Sequence, residues 1–230
     1  MNRPPSAPWR EGWESARALL RPGLFLQAVA VAVVIAYYAV PSAAPAFAAL
    51  ARWKAAGGYT FSALASVVCG GIVPFLYLHS RPASRQRQPL AQFAFYCLFW
   101  AWKGAEVDLW YRILGSVFGA ENRPGVVALK VLCDQFLYNP LYTTPVGNLL
   151  FAWKDAGFRW KPVRRDLQAG QWYWRRVIPA LIAVWSLWIP VVCCVFALPS
   201  ALQVPLFNVV LCFWSMLYIS ITLRQNAVAA

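Results

Sequence analysis

Charged residues are scarce in this sequence. Of 230 residues 13% are charged, against about 25% in an ordinary soluble domain. Only eight are Asp or Glu, and the one histidine is His79. General acid–base catalysis draws mainly on such side chains, so there is little material for it. A lone histidine cannot complete a usual zinc set, the six cysteines contain no CxxC pair, and no nucleophile or phosphate-loop signature occurs. The chain therefore reads as a non-enzyme that needs no metal and no cofactor. Alternating apolar segments of about ten residues are absent as well, which argues against a transmembrane barrel. So are internal repeats, low-complexity tracts and any second domain.

What the sequence does contain is apolar: 60% of its residues are hydrophobic, gathered in blocks. A membrane span needs about 20 mostly apolar residues, and its backbone must satisfy its own hydrogen bonds, which a helix does. Blocks of that kind lie at 24–40, 58–78, 91–117, 126–151, 177–198 and 201–221. The expectation is an all-α, polytopic transmembrane bundle of five to six helices forming one membrane domain, with 1–57 as an N-terminal extension and 58–222 as the bundle proper. The block at 24–40 is short and followed by Pro41 and Pro45. Glu11 and Glu14 in the long charged region before it favour an uncleaved helix over a signal peptide. Leu198-Pro199-Ser200 marks either a tight hairpin or a kink in one long helix. The six cysteines all fall inside apolar blocks and read as small buried hydrophobes.

The net charge of +13 reports topology. With all six blocks spanning and the N-terminus cytoplasmic, fifteen Lys/Arg lie on the cytoplasmic side, among them Arg81, Arg85, Arg87 and seven within 152–176. The opposite side holds three: Arg52, Lys54 and Arg123. That bias obeys the positive-inside rule and puts both termini on the cytoplasmic-equivalent side. Partners are then membrane lipids, anionic headgroups included, and not nucleic acid. The connector Lys154–Arg176 mixes basic residues with Trp160, Trp172, Tyr173 and Trp174, a composition suited to a segment at headgroup level and equally to a solvated loop. Trp9, Trp53, Trp153 and Trp160 read as belt residues at span ends.

The informative chemistry is in the two central blocks. Lys103, Glu106, Asp108 and Arg112 occupy one; Lys130, Asp134 and Gln135 occupy the next. Left unpaired at mid-bilayer, each charge would cost about 2.5–3.5 kcal/mol, so the six must be paired, hydrated or interfacial. Lys103/Glu106 at i,i+3, with Asp108/Arg112 and Lys130/Asp134 at i,i+4, can each meet on one helix face. Pro140 and Pro145 free backbone carbonyls, which Asn139, Thr143 and Thr144 could satisfy in a polar pocket. Gly104, Gly147, Gly170 and the Gly70-Gly71 pair are candidates for close helix contact.

Gly104, then Trp110-Tyr111-Arg112-Ile113-Leu114, then Lys130 and Asp134-Gln135 with Pro140, resembles the family of the peroxisomal twenty-two-kilodalton membrane protein and its mitochondrial inner-membrane Mpv-type relatives. Pro199, Asn208, Trp214 and Tyr218-Ile219-Ser220 resemble its terminal pattern, so the resemblance covers roughly 58–222. The departures are those of a divergent member, a bacterial one included: Asp108 stands at the family's histidine, Gln203 at its late arginine, and the helix at 24–40 is additional. The resemblance implies a four-span bundle, for some members a weakly selective channel for small solutes, and a mitochondrial inner, peroxisomal or bacterial inner membrane as host.

Two functions from different classes follow. One is a channel or transport protein in which Lys103, Glu106, Asp108, Arg112, Lys130, Asp134 and Gln135 line a polar route, as a monomer or a homo-oligomer. The other is a non-transporting assembly protein in which the same charges hold helices or a partner together. A lipid- or quinone-directed enzyme is the weakest alternative.

Overall fold

A computed structural model of the chain describes residues 8–80 and 89–229. Arg3, Arg81, Arg85 and Arg87 lie outside the described residues, as do the side chains of Tyr218, Ile219, Ser220 and Arg224. Every regular element among the described residues is helical: α1 (Pro8–Ala39), α2 (Ala44–Ser66), α3 (Val73–His79), α4 (Pro89–Phe118), α5 (Pro124–Cys133), α6 (Thr144–Asp155), α7 (Trp160–Gln168), α8 (Ile178–Ala197) and α9 (Ser200–Ala229). A 3-10 turn at Pro41–Ala43 leads into α2. Wider π-helical turns at Val67–Ile72, Asp134–Thr143 and Tyr173–Val177 join α2 to α3 and α5 to α6, and lead into α8. Two of these runs, Pro41–His79 and Tyr173–Ala197, are long and apolar enough to cross a membrane.

Local chemistry sets the boundaries. Pro124, with no N–H to lose, opens α5, and Gly119 closes α4 at φ +96, where a side chain would be strained. Pro199 separates α8 from α9, so the last apolar stretch is two helices. The helix expected from 58 does begin there: Gly58 (φ 50, ψ −129) is non-helical, so α2 is two helical stretches that meet at a kink, the first of them running from Ala44. Arg52 and Lys54 consequently lie inside α2 and not in a connecting segment. The cysteines also differ from expectation: Cys193 is exposed and the other five are half-buried.

The chain divides into two compact units, 1–27 with 128–190 and 28–127 with 191–230. In the first, the start of α1 packs closely on the start of α8: a Cβ on Gly12 would come within 2.8 Å of Ile182. In the second, α4 packs against α2, and α9 packs on both. The apolar core of this second unit includes Leu114, Phe196, Leu206 and Leu211, with the Tyr111 ring edge-on to Phe196 at 5.0 Å.

Both charged helical runs bury charged side chains while leaving large apolar ones exposed. On α4, Lys103 and Asp108 are buried while Leu98, Leu109, Ile113 and Val117 are exposed. Along α5 and the turn that follows, Lys130, Asp134, Gln135 and Asn139 are buried while Leu132, Phe136, Leu137 and Leu141 are exposed. Helices in soluble proteins turn their apolar stripe inward.

Candidate functional site

The buried polar side chains form two groups, one in each unit. In the unit 28–127 with 191–230, the centre is Asp108 on α4. Its Oδ1 accepts from Arg112 Nε at 3.1 Å, and Oδ2 accepts from Lys54 Nζ at 2.8 Å and Ser62 Oγ at 2.9 Å. The Lys54 and Asp108 side chains are each 5% exposed, whereas Arg112 is half exposed and lies over the Tyr59 ring, 4.7 Å from its centroid. One turn earlier Lys103 bonds Glu106 at 2.7 Å. The spacing pairs on α4 therefore form within the helix, and a third cation from α2 joins the second of them.

The kink at Gly58 makes room for that cation. Its backbone leaves the helical region and frees its carbonyl, which accepts from Lys54 Nζ at 3.3 Å and is, at 3.2 Å, the more distant of the two acceptors open to the single Ser62 hydroxyl proton. One ammonium is thus shared by a carboxylate and a backbone carbonyl. Further along, Ser66 Oγ donates to Asn208 Oδ1 at 2.7 Å, tying α2 to α9.

Lys54 and Ser62 were not among the residues singled out from the sequence, although a signal for them exists. Lys54, Gly58, Ser62, Ser66 and Gly70 recur every fourth residue, a spacing that puts each within reach of the next along a helix. Gly104 sits opposite: a Cβ there would collide with the Ser62 carbonyl oxygen and come within 2.5 Å of Ser66 Oγ. Gly70 and Gly71 likewise face Trp100 and the backbone of Tyr96 closely. Gly147 has open space around it, and Gly170 serves a turn at φ +76; neither makes a close helix contact.

In the unit 1–27 with 128–190, the polar group follows one helical run. Asp134 Oδ2 accepts from Gln135 Nε2 at 2.6 Å, Gln135 Oε1 from Asn139 Nδ2 at 3.4 Å, Asn139 Oδ1 from Thr144 Oγ1 at 2.5 Å, and the Thr144 carbonyl from Asn148 Nδ2 at 3.0 Å. Thr143 and Pro140 are half-buried beside this ladder. Lys130 is buried but does not bridge Asp134; Gln135 holds that carboxylate instead.

The ladder is continuous because Asp134–Thr143 winds as a π-helix, each N–H reaching back five residues, as Thr144 N–H does to the Asn139 carbonyl. Pro140 and Pro145 lack that N–H, so the carbonyls five residues earlier, Gln135 and Pro140, lose their donors. Asn139, Thr143 and Thr144 were the donors expected for such carbonyls. The ones found on these two are Trp185 Nε1, 2.9 Å from the Gln135 carbonyl, and the Tyr173 hydroxyl, 2.9 Å from that of Pro140. The reason is reach: short Asn and Thr side chains bond one another along the helix, while indole and phenol span the gap from other segments. Gln27 Nε2 does the same for the Ser186 carbonyl, four residues before Pro190, at 3.0 Å. Trp185→Phe keeps an aromatic side chain, though a smaller one, and deletes the donor; it is expected to lower the stability of the purified protein by about 1–3 kcal/mol in thermal or denaturant unfolding.

On the amphipathic α7, Asp166 gathers Arg175 (3.1 Å) and Arg176 (3.3 Å) from the following segment, which leaves a strongly basic stretch around a single carboxylate. No family model, no curated protein and no solved structure matches this chain.

Proposed function

We propose that the chain is an integral membrane protein of five to six spans that conducts small polar solutes. One observation carries the reading: along α5 and the turn after it Lys130, Asp134, Gln135 and Asn139 face inward, while Leu132, Phe136, Leu137 and Leu141 face outward. Lipid rewards such a surface, and water does not. Runs α1, α2–α3, α4, α5–α6, α8 and α9 supply six spans, with α7 and the arginines after it at headgroup level. The polar ladder from Asp134 to Asn148 is the path we favour, since amide and hydroxyl groups exchange partners with a passing solute at little cost. The resemblance to the peroxisomal and Mpv-type family supports the same reading, and with it a host membrane of that kind.

The test is efflux of sized solutes from liposomes containing the purified protein. Wild type is expected to release small solutes and retain large ones, and Asp134→Asn to change the rate several-fold, while a change with Glu106→Gln would put the Lys103–Glu106 pair on the path instead. Vesicles that stay tight around well-folded protein under varied voltage and pH would overturn conduction.

A second reading applies to the Asp108 group. Both oxygens of its carboxylate are already bound, by Lys54, Ser62 and Arg112, which suits a fastening between α2 and α4 better than a site for a solute. An assembly role for this group is compatible with conduction by the other. Cysteine substituted at 108 should resist aqueous thiol reagents while cysteine at 134 is labelled; labelling at 108 would reverse that division.

A further inference from the structure

Lys130 differs from the other buried cations. Lys54 and Lys103 hold carboxylates at 2.8 and 2.7 Å, and Lys154 holds Asp155 at 2.6 Å. Lys130 is buried more deeply than any of these, at 1% exposed, yet has no hydrogen-bond or ion-pair partner among the described residues. The Asp134 carboxylate one turn away does not bridge it and accepts from Gln135 Nε2. An ammonium withdrawn from water without a counter-charge is strongly unfavourable, so such a lysine either gives up its proton or takes its counter-ion from outside the chain. A neutral filler at this position would be served as well by Met or Leu. The neighbours on the same helical face are instead polar: Asp134, Gln135 and Asn139, all buried.

We propose that Lys130 is a binding site for a small, singly charged anion. One ammonium balances one negative charge, the nearby Asp134 carboxylate opposes any greater charge on the ligand, and the enclosure of the side chain restricts its size. The proposal rests on the solute-path reading, to which it adds the charge of the solute; its test is a binding measurement that needs no flux.

The purified full-length protein in detergent is unfolded thermally while sodium chloride replaces sodium gluconate at constant sodium and ionic strength. Chloride, the probe, is expected to raise the wild-type midpoint saturably by a few degrees, as a ligand of the folded state must. Lys130→Met keeps the volume, deletes the charge and should fold, because an apolar residue replaces a buried ion. Its midpoint is expected to ignore chloride, while that of Lys130→Arg still rises. A flat wild-type response, or an equal rise in Lys130→Met, would overturn the site; should Lys130→Met fail to fold, Lys130→Gln takes its place with the same expectation. Chloride binding by a protein that leaves liposomes tight would sink conduction alone, and conduction without a chloride effect would sink the anion site alone.

Discussion

Asp108→Leu is expected to lower the stability of the folded protein by about 3–5 kcal/mol, because it strands the Lys54 ammonium in a dry site. Lys54 reaches Asp108 Oδ2 at 2.8 Å with both side chains 5% exposed, so neither can turn to water for relief. Among the described residues the Gly58 carbonyl at 3.3 Å is the one other acceptor for Lys54, and it carries no charge to replace what is lost. Lys54→Met alone should be milder, since Arg112 and Ser62 still bind the carboxylate. The double variant Lys54→Met/Asp108→Leu is expected to regain most of the loss, leaving apolar side chains in contact. Unfolding of the four proteins of this cycle in detergent measures the coupling directly. A double variant as unstable as the sum of the singles would mean that the pair is not the fastening between α2 and α4.

The second large effect belongs to Gly104. Its backbone lies so close to α2 that even a Cβ would collide with the Ser62 carbonyl oxygen and approach Ser66 Oγ to 2.5 Å. A carbonyl cannot swing aside as a side chain can, so Gly104→Val must push the two helices apart. A loss of about 3 kcal/mol is expected, the upper part of the range for overpacking, together with slackening of the Asp108 network four residues away. Gly115→Ala on the same helix is the control: nothing lies within 4 Å of its added carbon. Better helix propensity should make it neutral or stabilising by up to about 1 kcal/mol in the same assay. Equal losses at 104 and 115 would show that the close approach of α2 and α4 is unimportant.

Much of the helical organisation was legible because hydrophobic blocks and proline punctuation are local signals. The block at 91–117 falls within α4, and Pro124 opens α5 as its missing N–H suggests. The start of α2 was not legible by the same means. Arg52-Trp53-Lys54 reads as polar punctuation until Asp108, far along the chain, supplies the partner that buries Lys54. The within-helix pairs, Lys103 with Glu106 and Asp108 with Arg112, could be read from spacing alone. Lys130 and Asp134 have equally good spacing and do not pair; the recorded donor to that carboxylate is Gln135 Nε2. Spacing defines which contacts are reachable; which of them form depends on neighbours that the sequence does not rank. The donors to the carbonyls freed at Pro140 and Pro145 were hidden for a related reason, since Tyr173 and Trp185 lie more than thirty residues downstream of the groups they serve.

That separation bears on how the protein is made. A chain emerging residue by residue presents the turn at 134–143 well before Tyr173 and Trp185 exist. Inside hydrocarbon the Gln135 and Pro140 carbonyls would then have no donor, so the stretch cannot be released into lipid as a finished helix when it is first synthesised. It must wait in a watery or proteinaceous shelter until the start of α8 arrives and the two can leave together. On the membrane reading proposed above, insertion of α5–α6 and α8 is thereby coupled into one late step, and a cysteine replacing the outward-facing Leu137 should react with aqueous thiol reagents in a chain truncated at residue 170 and resist them in one truncated at 195.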